Sequence, residues 1–308
     1  MLDINHILVV LDPNDDDQHG LTRAAWLAHA LDADITLLTH AWDSFGDKAS
    51  QLADTTSTSI RDALIQRSQD WLDSYIDTEQ LAELHVHTEV HWQKHLHDAA
   101  VESARATEFD LVVKSTHPHG IIDRIFSHCD WHLMRQCPAP VLMVKSANQW
   151  KHNRILACID ATSSDTGHNL INDNILSFAE HLADHFETDL HIANAYPMVA
   201  VALAMIPEVT PPDDIQKYVT EQHKEATQKW ARKFNVHDDH THLAEGDAEA
   251  VIPDLAQEIE ADLIVVGTIG RDGLSGVLIG NTAEALLDKV GGDVLVIKPN
   301  DGVKPEVD

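Results

Sequence analysis

At 308 residues the chain is long for one compact core and suits two domains of roughly 150 residues each. Its hydrophobic fraction of 44% is that of an ordinary globular protein, which excludes a disordered chain. Fifty-one acidic side chains against 21 basic ones leave a formal charge of −30, which repels a nucleic-acid backbone or an anionic membrane, so neither is expected as a partner.

The first residues, MLDINHILVVLDPNDD, pass from a short apolar run to an acidic turn with no basic leader and no small-residue cleavage site. No apolar run approaches the ~20 residues that span a bilayer, so a cytoplasmic protein is expected. The run from His6 to Asp12 predicts a buried parallel strand, and Leu21, Ala24, Ala25, Ala28 and Leu31 then recur at helical spacing. A second strand is predicted over Asp34 to Trp42, a helix near Trp71, a third strand over His85 to His91 and a helix over Leu96 to Thr107. Strands from Asp110 and from Pro140 to Lys145 complete the half.

The same order then returns. Arg154 to Asp160 is a strand ending in aspartate like the first, Ile171, Ile175, Phe178, Ala179 and Leu182 mark a helix, and Asp189 to Tyr196 is the next strand. A helix near Trp230, a strand over His240 to Gly246, a helix over Ala248 to Glu260 and strands from Asp262 and from Asp293 to Lys298 follow. Corresponding positions lie about 148 to 155 residues apart throughout, which is a duplication. Strands alternating with helices demand right-handed crossovers, so the fold class is α/β, two tandem doubly wound five-stranded parallel-sheet domains, residues 1–148 and 149–308. The connection from Ser146 to His152 is too short for a free tether, and the halves are expected to dock.

Open α/β sheets bind ligands at the carboxyl ends of their strands, where the strand order reverses. In the second half the fourth strand runs into Gly267, Gly270 and Gly280, followed by Asn281, Thr282 and a helical segment. Glycines let the backbone approach a phosphate, and the free N–H groups of a first helical turn favour an anion. The spacing Gly-x2-Gly-x9-Gly before a hydroxyl residue resembles the ATP-binding signature of the universal stress protein family. This chain has Asn281 where that pattern has Ser or Thr, with the hydroxyl one place later at Thr282. The resemblance implies that Asp160 serves the adenine or ribose end and that the main chain near Ala195 lines the same site. Glu245-Gly246-Asp247 also resembles the family. In the first half Ser115, Pro118 and His128 stand where the glycines belong, and proline removes a donor, so that half is not expected to bind ATP in the family manner.

The resemblance covers almost the whole chain. It implies a cytoplasmic stress-response binding protein whose two domains form an internal pseudo-dimer through their fifth strands, Val141 to Lys145 against Val294 to Lys298. The implied ligand is ATP or another adenine nucleotide, with Mg as a companion ion; whether the full chain dimerises again stays open. Two alternatives stay open beside it: a carrier or sensor of another phosphorylated small molecule, such as a nucleotide sugar or lipid precursor, and a slow ATP hydrolase.

No catalytic set emerges: there is no G-x-S-x-G elbow and no nucleophile paired with a base. A dinucleotide fold would need G-x-G-x-x-G in the first βα turn, and a P-loop would need G-x4-G-K-[ST]; the chain has neither. His85, His87 and His91 alternate around Glu89, but no histidine or cysteine set among the 22 histidines and three cysteines has a zinc-ligand spacing, so no metal is expected. Cys129, Cys137 and Cys158 read as reduced thiols. The apolar, proline-punctuated stretch from Val199 to Pro212 reads equally as a pocket wall or as an inter-domain loop.

Overall fold

The computed structural model describes residues 3–44, 47, 55–116, 128–163, 166–199, 214–268 and 281–298, and the chain divides into two compact units, Asp3–Gln149 and Trp150 onward. The first runs β1 (His6–Val10), α1 (His19–Leu31), β2 (Asp34–Ala41), α2 (Thr55–Ile76), β3 (Val86–Trp92), α3 (Leu96–Ala106), β4 (Leu111–Ser115), α4 (His128–Gln136) and β5 (Val141–Val144). The second repeats it as β6 (Arg154–Cys158), α5 (Thr166–Phe186), β7 (Asp189–Tyr196), α6 (Ile215–Lys233), β8 (Thr241–Glu245), α7 (Ala248–Glu258), β9 (Leu263–Gly267), α8 (Asn281–Lys289) and β10 (Asp293–Ile297).

Within the first unit the strand order is β3-β2-β1-β4-β5, and within the second it is β10-β9-β6-β7-β8. Every pairing inside each unit is parallel. The doubly wound five-stranded pair of domains read from the sequence is what folds. Continuous apolar runs form the central strands because both sheet faces are covered: Ile7, Leu8 and Val9 in β1 and Ile155, Leu156 and Ala157 in β6 are wholly buried. In the first unit α1 lies on β1 and β4, α2 on β2 and β3, and α3 packs on β2 and against α4. Among the described residues no helix is long and apolar enough to cross a membrane.

Two devices are duplicated exactly where the halves correspond. Asp110 accepts the N–H groups of Asn5 and His6, at 2.9 and 3.0 Å, and Asp262 accepts those of Lys151 and His152, at 2.9 and 2.8 Å. In each unit a carboxylate ahead of the fourth strand thus satisfies the donors that lead into the first. Helices α1 and α5 both close through a left-handed residue, Asp32 at φ 55° and Glu187 at φ 51°. The next N–H then reaches back to Ala28 in one case and Ala183 in the other.

A third device is shared with its parts exchanged. Close approach of α1 to β4 requires Gly20, because a Cβ there would stand 2.7 Å from the Ser115 nitrogen. Close approach of α5 to β9 instead requires Gly267, where a Cβ would stand 2.9 Å from the Ile171 side chain and 3.0 Å from Ile175. The small residue sits on the helix in one unit and on the strand in the other. Gly267 therefore has a packing reason to be glycine in addition to any role in a ligand loop.

Gly20→Ala is expected to destabilise more than Gly267→Ala. The first drives a methyl into main chain that cannot move and should cost about 1–3 kcal/mol net, even though alanine is the better helix former. The second meets only the flexible ends of isoleucine side chains, and Ile171→Val should recover part of its loss; urea unfolding of the single and double variants checks the order.

Candidate functional site

The sheet order of the second unit reverses at β6, which is flanked by β7 and β9. Cys158, its last residue, is level with Ala193 on one side and Val266 on the other. Asp160 follows two residues after the end of β6, while Ala195 lies in β7 and Thr268 directly follows β9. The structure thus brings Asp160, Ala195 and the end of β9 together at one carboxyl edge. Gly267 is the last residue of β9, and Asn281 and Thr282 open α8, so their main-chain N–H groups belong to its unpaired first turn. Gly270 and Gly280, and the side chains of Asn281 and Thr282, lie outside the described residues, as does the stretch from residue 200 to 213.

Asp160 is held by its main chain: Asn172 in α5 accepts its N–H at 3.2 Å and donates to its carbonyl at 2.7 Å. The carboxylate itself is exposed and makes no hydrogen bond among the described residues. Its counterpart Asp12 is occupied, accepting both the main-chain N–H and the amide of Asn14 in a local turn, at 3.0 and 2.9 Å. Beneath Asp160 the Asn194 amide donates to the carbonyls of Ile159 and Ala195 and accepts from His223 Nδ1 at 3.1 Å. Burial lowers the His223 pKa against the opposing pull of Asp160, so the ring stays neutral with its proton directed to Asn194.

Next to this edge, Gly246 stands at φ 135° and its N–H bonds the Tyr196 carbonyl at 2.8 Å, a turn that only glycine makes without strain. A cleft of about 680 Å³ opens from Ala161, Thr162 and Ser163 toward Lys229, Trp230 and Lys233 of α6. Lys233 is paired with Asp173. Lys229 supplies a second positive group on the cleft wall.

The first unit fills the corresponding edge with its own charges. Lys114, 3% exposed near the end of β4, faces Asp130, 1% exposed in the first turn of α4, with Nζ and Oδ1 3.1 Å apart. Lys114 also donates to the Ser115 carbonyl at 2.9 Å, and the Thr116 hydroxyl donates to Asp130 at 2.9 Å. Burial is the largest single influence and lowers the lysine pKa, but the charge of Asp130, its hydrogen bond and the neighbouring groups Cys129 and Asp15 together outweigh it, and the net shift is upward. Beside it burial pushes the Cys129 thiol up to about 12, and Cys158 is pushed equally far, so both remain protonated as expected of reduced cysteines. With the helix starts His128 and Asn281 matched, one residue out from the sequence match of His128 to Gly280, the residues at these places in the second unit are Val266 and Ala283, both buried and apolar.

The pair was the main feature hidden in the sequence, although a lysine inside the apolar run Asp110-Leu-Val-Val-Lys was its signal. Three side chains of the predicted histidine stripe divide: His85 and His87 are exposed, while His91 bonds Glu89 at 3.1 Å and lies 3.8 Å from Glu102. At the amino edge of the second sheet His191, 7% exposed, stacks on His240 at 4.2 Å and contacts His242. Burial, followed by the nearby charges of His240 and His242, pushes the His191 pKa down to about 4.

The model of the universal stress protein family matches residues 3–145 and again residues 151–298. Universal stress protein E of Salmonella typhi is 32% identical over 303 residues, covering 97% of this chain and 96% of that one. The universal stress protein E homolog of Haemophilus influenzae is 32% identical over 303 residues, covering 96% and 97%. A crystal structure of a functionally unknown protein from Pseudomonas aeruginosa PAO1 superposes with a TM-score of 0.70 at 29% identity, covering 97% of this chain and 94% of that one.

Lys114→Met or Asp130→Ala alone is expected to cost about 3–5 kcal/mol, because each strands a buried charge. The double change to the residues of the second unit, Lys114→Val with Asp130→Ala, should cost distinctly less than either, read by denaturant melts. For His191 the folded-state pKa of about 4 lies below its ordinary 6.5, so the unfolded chain binds the proton first. Its contribution to stability is complete above pH 6.5 and is lost as the pH falls toward 4. His191→Asn should flatten that part of the stability profile.

Proposed function

The chain belongs to the universal stress protein family, and from that premise we propose that its second unit binds an adenine nucleotide, ATP first, as part of a cytoplasmic stress response, while its first unit has given up that role. The observation that carries this reading is the contrast at the two carboxyl edges. Where the first unit buries the Lys114 and Asp130 charges against each other, the second presents Val266 and Ala283. Among the described residues no carboxylate takes that place beside the N–H groups that open α8, and an anion supplied by a ligand would be favoured there.

The residues present fit a nucleotide. Asp160 keeps its carboxylate uncommitted while Asn172 fixes its main chain, the arrangement needed to accept hydrogen bonds from ribose or adenine. Ala195, near the end of the neighbouring strand β7, would offer main chain to the base. Gly267, Gly270 and Gly280, with Asn281 and Thr282, would carry the phosphates, the amide of Asn281 donating where the family pattern has a hydroxyl. Mg would enter as the companion of the phosphates. The cleft beginning at Ala161 is of the size that accommodates a small ligand.

Calorimetric titration of the full chain with ATP, AMP and a nucleotide sugar tests the reading. One ATP per chain is expected, with Asp160→Ala and Gly280→Val each weakening it at least tenfold, about 1.4 kcal/mol. Transplanting the charges of the first unit, Val266→Lys with Ala283→Asp, should abolish binding in a protein that remains folded. Equal affinity in all four proteins, or preference for the nucleotide sugar, would overturn it.

A further inference from the structure

At the amino edge of the second sheet, opposite the carboxyl edge described above, three potential ligands converge. Asp189 opens β7, and His191, two residues on, shares its face. His240 closes the turn before β8, and the β7–β8 register, Ile192 with Thr241, sets it level with His191. One ligand atom from each of Asp189, His191 and His240 lies within 4.8 Å of the others.

The two nitrogens of His191 are not equivalent. Nδ1 is 2.9 Å from Nε2 of His242, the next residue of β8 on that face. Nε2 is buried and has no hydrogen-bond partner. An imidazole whose one nitrogen is fixed by a neighbouring side chain and whose other is buried and unused is oriented as metal-ligating histidines are. An orphaned buried polar atom otherwise costs free energy with nothing in return. The charges around the cluster are Asp189 itself and Glu258, which favour a cation, and Arg154, which opposes one. Arg154 is turned to the Ile259 carbonyl at 2.8 Å and toward Glu260 at 3.6 Å. The opposition is thereby partly neutralised.

We propose that Asp189, His191 and His240 bind a divalent first-row transition-metal ion, with His242 as the positioning residue that orients His191. Two imidazoles and one carboxylate suit zinc and its neighbours rather than calcium or magnesium, which require an oxygen shell. Ligand atoms 2.0–2.1 Å from a common ion stand about 3.4 Å apart, so closure from the present spacing requires His240 to swing out of its stack on His191. Asp189 is exposed and His240 half-buried, so both can move. The ion would keep a water in its remaining position on the solvent side.

Titration of the full chain with Zn²⁺, followed by calorimetry and repeated with Co²⁺ for its visible absorption, tests the site. One tight equivalent per chain is expected in excess of any weak binding by the other histidines. Asp189→Asn and His240→Ala should each weaken that equivalent at least tenfold and alter the cobalt spectrum, and His242→Phe should weaken it about 10- to 100-fold. These side chains are not core, so circular dichroism of the metal-free variants should match the parent, and for any that does not, the Asp189→Asn result decides. His85→Ala with His87→Ala should leave the tight equivalent intact. Parent-like zinc binding in both Asp189→Asn and His240→Ala, or its loss in the His85/His87 variant, would overturn the site.

Discussion

A charge placed inside a parallel sheet must be neutralised on the spot, because water cannot reach it. Lys114 sits in a strand whose other residues are all buried, and its position forces Asp130 into the first turn of the following helix. That one requirement settles what the carboxyl edge of the first unit can be. The helix terminus that would attract an outside anion already holds an inside one, and the Thr116 hydroxyl completes its shell. In the second unit valine and alanine, both buried, take the places of the pair.

The frame survives duplication because its supports are backbone devices. The carboxylates of Asp110 and Asp262 tie the chain entering the first strand to the start of the fourth, the two strands between which the order reverses. That tie fixes the floor of the switch point in both units. Side chains between helix and sheet were freer to diverge, as the exchange of Gly20 with Ser115 for Ile171 with Gly267 shows. What packing conserves is the volume between helix and strand, and either partner can give way.

The second unit therefore uses its two sheet edges differently. Its carboxyl edge carries the exposed Asp160 and the start of α8, and is the place proposed for an anionic organic ligand. Its amino edge gathers His191 and His240 around Asp189, and is the place proposed for a cation. Both draw on β7, which carries Ala195 and Asn194 to one end and Asp189 and His191 to the other. The two sets do not compete because they lie at opposite ends of the strand.

Hydrophobic period and repetition were enough to read the elements and the α/β class from the chain, because a strand buried on both faces must be continuously apolar and an amphipathic helix must repeat every three to four residues. Of the candidate ligand residues of the second unit, Asp160 follows β6 and Ala195 lies in β7, beside the point where the strand order reverses, while Gly270 and Gly280 fall outside the described residues. The reason for Gly267 was not legible, since the isoleucines that crowd it are nearly a hundred residues away in sequence. Nor was the meeting of Asp189 and His191 with His240, for the alternation in β3 drew attention to histidines that the fold leaves exposed or paired with glutamate. Linear spacing determines which side chains share a face of one element. Only the tertiary pairing of parallel strands, whose partners are separated by whole crossover helices, decides which faces meet.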